Sequence, residues 1–242
     1  MIGNRTERAG LTLLVVAALV AIGFIQGGDH EPPSQWSLPA GSLASEPAPD
    51  PHEDQLPSSG PGRFTFDSSA GPILGTAGPV MRFRLGVESN LDSDLSEFSR
   101  LTDATLADSR SWIFDKKQRF QRVPDGAPSD FTIALVTRET AYRLCAKAGL
   151  DIRDDGIPYT SCHANGWVVV NLDRWRLSTA DFVRSGAPLL TYRQHVINHE
   201  VGHQLGREHE QCPGEGQLAP TMQQQTLGLH GCVANPWPYP NA

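Results

Sequence analysis

The sequence HEVGHQLGREH at residues 199–209 constrains the fold more than any other stretch. His199 and His203 are four residues apart, so on an α-helix their side chains project from one face about one turn apart. Gly206 tolerates left-handed backbone angles, which lets the helix stop and the chain bend sharply. His209 can then return to the same point as the first two imidazoles. The spacing predicts a helix that ends in a glycine turn and one divalent cation held by three histidines.

Glu200 directly follows the first of these histidines and is expected on the open side of the same ion. There it can accept a proton from water that the ion holds, which is the general-base role in H-E-x-x-H sequences. Three neutral imidazoles leave one ligand position exchangeable, as is typical of catalytic rather than structural zinc. The sequence therefore predicts one catalytic Zn²⁺. The alternative is a buried helix whose imidazoles serve only in packing.

The other polar residues near this stretch receive less specific interpretations. His195 lies one helical turn before the first ligand and is expected to pack in the core or to support a ligand rather than to bind the metal. The rest are interpreted as loop histidines and solvated carboxylates: His163, His230, Glu208 and Glu210.

The N-terminal part of the chain predicts export. Arg5 and Arg8 precede an apolar run over residues 9–25, a pattern typical of a secretory signal or a signal anchor. We expect residues 1–27 to be either an uncleaved membrane anchor, near the lower length limit for spanning a bilayer, or a cleaved signal peptide. Residues 28–61 are rich in Pro, Ser, Gly and acidic residues and are predicted to be a disordered linker. The catalytic domain is then residues 62–242, outside the cytoplasm and either attached to the membrane or secreted.

The charge of the chain argues against a nucleic-acid partner. The formal net charge is −7, and no block of lysine and arginine is dense enough to neutralise a phosphate backbone. The sequence carries no signal for an oligomeric state.

Four cysteines lie in the predicted domain, and an even number outside the cytosol predicts two disulfides. Three pairings are possible. We expect Cys145–Cys162 and Cys212–Cys232, because the members of each pair are close in sequence. A cysteine-based zinc site is disfavoured because no C-x-x-C spacing occurs.

Hydrophobic periodicity predicts an α+β domain with one sheet. The sheet is expected to pack on an amphipathic helix and on the buried helix that carries the histidines, followed by an irregular C-terminal part. The expected strands cover residues 63–67, 80–88, 130–137 and 166–175, and the expected helices cover 92–108, 138–149 and the stretch from Pro188 to about Gly206.

The histidine stretch resembles the signature of the metzincin zinc metallopeptidases, H-E-x-x-H-x-x-G-x-x-H followed by a Met-turn. Downstream, APTMQQQT supplies Met222, thirteen residues past the third histidine. The resemblance implies a metzincin-like fold with a small twisted mixed sheet, in which Met222 forms an apolar floor under the zinc histidines in an irregular C-terminal subdomain. By the same resemblance His199, His203 and His209 are the ligands and Glu200 is the base.

A narrower resemblance is to an actinobacterial exported family catalogued as a domain of unknown function. It rests on INHEVGHQLG, CPG, APTMQQQTLGL and NPWP and covers roughly residues 189–238. It implies the same fold and supplies no substrate. One departure concerns the tyrosine that some metzincins place after the Met-turn methionine, because Gln223, Gln224 and Gln225 follow Met222 here.

Metzincins also bind the substrate backbone along an exposed antiparallel edge strand. The chain order places such an edge between about residues 150 and 172. GWVVVN is expected to be the adjoining internal strand, since three consecutive valines suit burial on both faces.

The resemblance implies an exported zinc metallopeptidase that hydrolyses peptide bonds with a zinc-bound water activated by Glu200. A cell-surface binding module that keeps zinc only for stability is the first alternative, although a structural site does not need the carboxylate. A zinc-dependent amidase acting on cell-wall crosslinks is the second, since it uses the same chemistry.

Overall fold

The computed structural model describes residues 56–242 of the chain. The predicted signal or anchor, residues 1–27, and residues 28–55 of the predicted linker lie outside the described residues. Within residues 56–242, no helix combines the length and the hydropathy needed to cross a membrane. Residues 56–61, at the end of the predicted linker, already contact the domain, since the Ser58 carbonyl accepts a hydrogen bond from the Glu139 amide at 3.0 Å.

A seven-stranded mixed sheet forms the centre of the domain. Its strands are β1 Phe64–Phe66, β2 Ile73–Leu74, β3 Val80–Glu88, β4 Arg119–Arg122, β5 Phe131–Val136, β8 Cys162–Ala164 and β9 Trp167–Asn171; β6 Arg153–Asp154 and β7 Ile157–Pro158 form a separate hairpin. The strand order is β2-β4-β3-β5-β9-β8, with β1 paired to the end of β3. Strands β4, β3, β5 and β9 are parallel, and β8 runs antiparallel to β9 at one end of the sheet.

Helices cover both faces of this sheet. They are α1 Leu95–Ala107, α2 Arg138–Ala146, α3 Leu172–Leu177, α4 Ala180–Ser185 and α5 Leu189–Gln204. Side chains alternate along each strand, so Ile133 and Leu135 pack with the buried faces of α1 and α5, whereas Ala134 and Val136 pack with α2. Strand β5 is buried along its whole length for this reason. The α+β class and the mixed sheet are confirmed.

One expected strand is shorter in the structure and continues as a helix. The strand expected over residues 166–175 ends at Asn171, and LDRW opens helix α3. The Asn171 side chain accepts a hydrogen bond from the Asp173 amide at 3.0 Å, so it caps the new helix. All four residues of LDRW are buried, Asp173 and Arg174 included, so this stretch is a short buried helix. The expectation that GWVVVN is an internal strand is confirmed, since β9 lies between β5 and β8.

Two disulfides are present, with the expected pairing. Cys145–Cys162 joins the end of α2 to strand β8, and Cys212–Cys232 closes a loop in the irregular C-terminal part. Both bonds indicate folding in an oxidising compartment, and hence an extracellular location.

Glu88, at the end of β3, is a buried carboxylate that fastens the start of the domain to α2. Its oxygens accept hydrogen bonds from the Gly62 amide, from the Thr137 amide and hydroxyl, and from the Thr140 hydroxyl, at 2.7–3.0 Å. Burial alone would raise the pKa of Glu88, but these hydrogen bonds together hold it below its ordinary value.

We expect Glu88→Gln to lower the free energy of unfolding by about 2 kcal/mol at pH 7, because an amide group would face donors that now meet a carboxylate. Because the pKa of Glu88 in the folded protein is below its ordinary value of 4.5, this stabilisation is complete above pH 4.5. It is lost as the pH falls through the folded-state pKa of Glu88. The difference in the free energy of unfolding between the wild-type protein and Glu88→Gln should therefore become smaller at acidic pH. Urea unfolding at neutral and acidic pH measures it, with the exposed Glu215→Gln as control. Equal stability of both proteins at pH 7 would contradict the expectation.

Candidate metal centre

Helix α5 carries the first two histidines of the motif and is fixed to the rest of the domain by the residue before them. The Asn198 side chain accepts a hydrogen bond from the Ser111 hydroxyl at 2.8 Å and donates one to the Pro236 carbonyl at 2.9 Å. The Asn198 carbonyl accepts a third from the Trp112 indole at 2.8 Å. These three hydrogen bonds fix the position of helix α5 along its axis and its rotation about that axis, at the residue just before His199.

Gly206 ends the helix in the manner that its position predicts. It has a φ of 76°, in the left-handed region that suits glycine. The Gly206 amide donates to the His203 carbonyl and the Arg207 amide donates to the Gly202 carbonyl, both at 2.9 Å. These two hydrogen bonds form a Schellman motif, which satisfies the last carbonyls of a helix while the chain reverses direction. The reversal brings His209 back over the helix.

The three imidazoles of His199, His203 and His209 meet at one point. One nitrogen from each ring lies within 4.8 Å of those of the other two, and the Nε2 atoms of His203 and His209 are 3.1 Å apart. The Nδ1 atoms of His199 and His203 lie 2.9 and 2.8 Å from the carbonyl oxygens of Thr221 and Arg207. A carbonyl can only accept, so each Nδ1 carries the proton and each Nε2 offers its lone pair to the cluster.

The cluster fits a zinc ion in its charge state as well as in its geometry. Burial lowers the pKa of His199 to about 3, and burial also lowers the pKa of His203 and of His209. The imidazoles are therefore neutral at neutral pH, which is the form that binds metals. Nitrogen ligands of a tetrahedral zinc lie about 3.4 Å from each other, which is close to the separation already present between two of these rings.

Glu200 lines the same cleft as the three histidines. Its side chain is buried, and Oε2 has no hydrogen-bond partner among the described residues. Burial raises the pKa of Glu200 to about 8. A buried carboxylate without a partner is costly in a protein that offers it no cation. Glu200 and the three histidines line one cleft of about 440 Å³, so the unpaired oxygen fits a site built around a cation.

Met222 lies in a buried turn that contacts two of the three histidine segments. The turn is closed by the Gln223 amide, which donates to the Pro220 carbonyl at 3.0 Å. The Thr221 carbonyl accepts from His199, and the Met222 carbonyl accepts from the amide of Glu210, the residue after His209, at 3.0 Å. The turn therefore fixes both the ring of the first histidine and the backbone next to the third.

Gly202, inside the H-E-x-x-H stretch, allows this turn to approach the helix. A methyl group on Gly202 would meet Met222 Sδ and would lie 2.8 Å from Cζ2 of the buried Trp112. Only glycine leaves room for both side chains, so the sulfur packs directly against the helix turn between the two histidines. Sequence reasoning did not single out Gly202, although a glycine inside a helix is a signal of close packing.

Gly202→Ala is expected to lower both the stability and the zinc affinity of the protein. Alanine has a higher helix propensity than glycine, which by itself would stabilise the helix by about 1 kcal/mol. Overpacking costs about 1–3 kcal/mol and outweighs it here, because both contacts are with buried side chains, at the helix turn between His199 and His203. Thermal unfolding and zinc titration measure the effect, with Ser96→Ala on the exposed side of α1 as the matched control. Unchanged zinc affinity in Gly202→Ala would show that the turn does not support the site.

The three glutamines after Met222 have different surroundings. Gln223 and Gln225 are buried, and their side-chain amides donate to backbone carbonyls of the C-terminal part, among them those of Gly228 and Asn235. Gln224 is exposed and lines the cleft. Gln223 and Gln225 thus serve the packing of this part, and Gln224 is the one of the three that faces the site.

The remaining histidines are placed as follows. His163, interpreted from the sequence as a loop histidine, lies instead in strand β8, where its Nε2 is 2.8 Å from Oε1 of Gln204 at the end of α5. His195 is buried in the cleft wall and is not part of the three-histidine cluster. Burial and the neighbouring His199 lower the pKa of His195 well below its ordinary value. His230 is exposed in a C-terminal loop.

Comparison with known proteins identifies one family. A family model described as "Protein of unknown function (DUF3152)" matches residues 51–231, well over half of the chain. The match covers the sheet, helix α5 and the three histidines. No curated protein and no solved structure matches the chain.

Proposed function

Since the chain belongs to the DUF3152 family, we propose from its own histidine site that it is an exported zinc metallopeptidase of the metzincin type. One observation carries the proposal. Three neutral imidazoles converge within 4.8 Å beside the buried Glu200, whose Oε2 has no hydrogen-bond partner within residues 56–242, in one cleft. A structural zinc site needs neither the free carboxylate nor the cleft.

His199, His203 and His209 would hold the ion through their Nε2 atoms. The Zn²⁺ ion supplies a Lewis acid, which acidifies water and polarises a carbonyl oxygen. The carbonyls of Thr221 and Arg207 keep the first two rings in the tautomer that binds, because each accepts the Nδ1 proton.

Glu200 is the proton carrier in the proposed reaction. Its Oε2 receives no hydrogen bond from the part of the chain that the structure describes, and it can accept the proton of the attacking water. The same oxygen then donates this proton to the leaving amine, so the carboxylate is regenerated. Met222 and Gly202 keep the helix turn that bears Glu200 packed against the Pro220–Gln223 turn. Glutamines and not a tyrosine come directly after Met222, and Gln224 is the one of them that lines the cleft.

Strand β8 suits the binding of an extended peptide in the way that metzincins use. Asn165 and Gly166 form a two-residue hairpin turn with φ values of 51° and 75°, and the pair that closes it is Ala164 with Trp167. The two residues that close such a turn exchange backbone hydrogen bonds with each other. Hydrogen-bonded and non-hydrogen-bonded pairs alternate along antiparallel strands, so the next pair, which contains His163, is not hydrogen-bonded. The amide and carbonyl of His163 therefore point away from β9. These groups are available to a substrate backbone, and His163 also lines the cleft. The apolar side chains of Leu150 and Leu227 are exposed in the same cleft.

Export agrees with the two disulfides, and residues 1–27 would supply either a membrane anchor or a cleaved signal. The substrate is therefore expected to be a peptide or protein outside the cytoplasm.

A mixed peptide library tests the proposal. We expect the purified protein to bind one equivalent of Zn²⁺ and to cleave a subset of the peptides, and a chelator should abolish cleavage. A protein that binds zinc, unfolds when the metal is removed and cuts no member of the library would be the zinc-stabilised binding module instead. Cleavage of cell-wall amide crosslinks without cleavage of peptides would favour the amidase.

A further inference from the structure

Glu208 is an exposed carboxylate in the wall of the cleft. It comes directly before His209 and lines the same cleft as the three histidines. Its side chain forms no hydrogen bond and no ion pair with any residue between 56 and 242. Burial lowers the pKa of His203 and of His209, and the negative charge of Glu208 opposes this lowering at both rings. The carboxylate is therefore close to the metal site and open to solvent.

Arg207 is the arginine that lines the cleft, and its charge is held by groups outside it. Its Nη2 lies 3.8 Å from Oδ2 of Asp115, and its guanidinium carbon lies 5.6 Å from the centre of the Trp112 ring. Neither Asp115 nor Trp112 lines the cleft. The guanidinium of Arg207 therefore does not neutralise Glu208.

Asp151 is a further acidic residue of the cleft lining, and it already has a cation. Its two carboxylate oxygens accept hydrogen bonds from the Arg153 guanidinium at 2.9 and 2.8 Å. Glu200 lies against the proposed metal site. Within the described part of the chain, the cleft carboxylate that remains for the charge of a substrate is therefore that of Glu208.

The apolar part of the cleft suits the same kind of ligand. Leu150 and Leu227 line the cleft and are 42% and 48% exposed. Lysine and arginine carry an aliphatic stem that covers apolar surface while the charged end stays among polar groups. A basic side chain can therefore contact exposed leucine and a carboxylate in one cleft, whereas an acidic side chain would be repelled by Glu208.

We propose that Glu208 is a specificity-determining residue that selects peptides with a basic side chain, lysine or arginine, near the scissile bond. This inference rests on the proposed peptidase function and names a substrate class within it. Because Glu208 is exposed, water and salt screen its attraction for the basic group. The selectivity is therefore moderate in size and depends on ionic strength.

The test uses peptide pairs of nearly equal shape that differ in charge: Lys against norleucine and Arg against citrulline, placed in turn at each position around the cleaved bond. The peptides are acetylated at the N-terminus and amidated at the C-terminus, so the side chain carries the charge difference. Unacetylated forms are measured separately, because an N-terminal ammonium carries the same charge as a lysine side chain.

Cleavage is measured with the zinc-loaded wild-type protein, with Glu208→Gln and with Glu208→Lys. The matched control is Glu210→Gln, which removes an equal charge from the other side of His209. Glu210 is also exposed, but it lines a different pocket and not the cleft. Binding of the same peptides is measured with Glu200→Gln, alone and combined with Glu208→Gln. Zinc content and thermal unfolding are recorded for every protein.

At one position we expect the wild-type protein and Glu210→Gln to prefer the basic member of each pair by about 3- to 5-fold in kcat/KM at low ionic strength. The ratio should fall towards one at about 0.5 M salt. Glu208→Gln should lower the ratio to about one, and Glu208→Lys should lower it below one. The neutral peptides should be cleaved by Glu208→Gln within about twofold of the wild-type kcat/KM.

Three results would overturn the role of Glu208. The first is a preference for the basic peptide that stays intact in Glu208→Gln. The second is an equal loss with basic and neutral peptides, or a loss of zinc, since either would mean that the carboxylate supports the metal site. The third is a preference that follows the free N-terminal ammonium and not the side chain.

The failure of this inference can be told from the failure of the proposed function. Cleavage with the same ratios in all the proteins leaves the peptidase in place and removes Glu208 from substrate selection. Binding without cleavage overturns the peptidase, and the binding ratios with and without Glu208→Gln then decide the role of Glu208. A wild-type protein that neither cleaves nor binds any peptide overturns both.

Discussion

Glu200→Gln is expected to keep the zinc content of the protein and to lower peptide hydrolysis by about 10²- to 10⁴-fold, the usual contribution of a general base. Glutamine has nearly the same shape and leaves the three imidazoles untouched, but it cannot take a proton from water. The buried position makes the substitution mild for folding, because burial raises the pKa of Glu200 to about 8 and so already favours a neutral side chain, and glutamine is neutral. We expect the free energy of unfolding in the absence of metal to stay equal or to rise.

The matched control is Glu210→Gln, an exposed glutamate beside His209. It changes the charge of the chain by the same amount and should leave kcat near the wild-type value. Kinetics with a peptide found by library screening, together with metal analysis of each protein, gives the comparison. Equal activity of Glu200→Gln and the wild-type protein would remove Glu200 from the mechanism. A loss of zinc in Glu200→Gln would assign the carboxylate to metal binding instead.

The second large effect is expected when an imidazole is removed. His203→Ala and His209→Ala should each lower zinc affinity by at least about 100-fold, since a site of three protein ligands loses one of them. Both rings are partly or fully exposed, so little packing is lost with them. The metal-free variants should therefore unfold at about the same temperature as the metal-free wild-type protein.

His230→Asn is the control for histidine loss, because His230 is exposed, lies outside the cluster and has a positive φ that asparagine tolerates. Zinc titration in competition with a chromogenic chelator measures all four proteins. A decrease of the same size in His230→Asn would mean that the titration reports scattered surface sites. Unchanged affinity in His209→Ala would mean that the glycine turn does not deliver a ligand.

The local features of the candidate site were accessible from sequence because they depend on short-range geometry. The spacing of His199 and His203 follows from the helical repeat, and the bend at Gly206 follows from the backbone freedom of glycine. The disulfide pairing and the internal position of β9 also followed from sequence proximity and from apolar runs. The structure contains each of these features.

The supporting contacts could not be predicted because they join segments far apart in the chain. Asn198 meets Ser111 and Pro236, and Gly202 meets Trp112 and Met222, pairings that only the folded sheet and the C-terminal loops create. The short strand β8 was not assigned because it is three residues long and shows no usable alternation.

The most direct measurement is a crystal structure of the zinc-soaked protein with diffraction recorded on both sides of the zinc absorption edge. We predict a single anomalous peak in the cleft, about 2.0–2.1 Å from the Nε2 atoms of His199, His203 and His209, with Glu200 beside it and not bound to it. An empty cleft at saturating zinc, or a peak held by other residues, would contradict the proposed metal centre and the hydrolysis that depends on it.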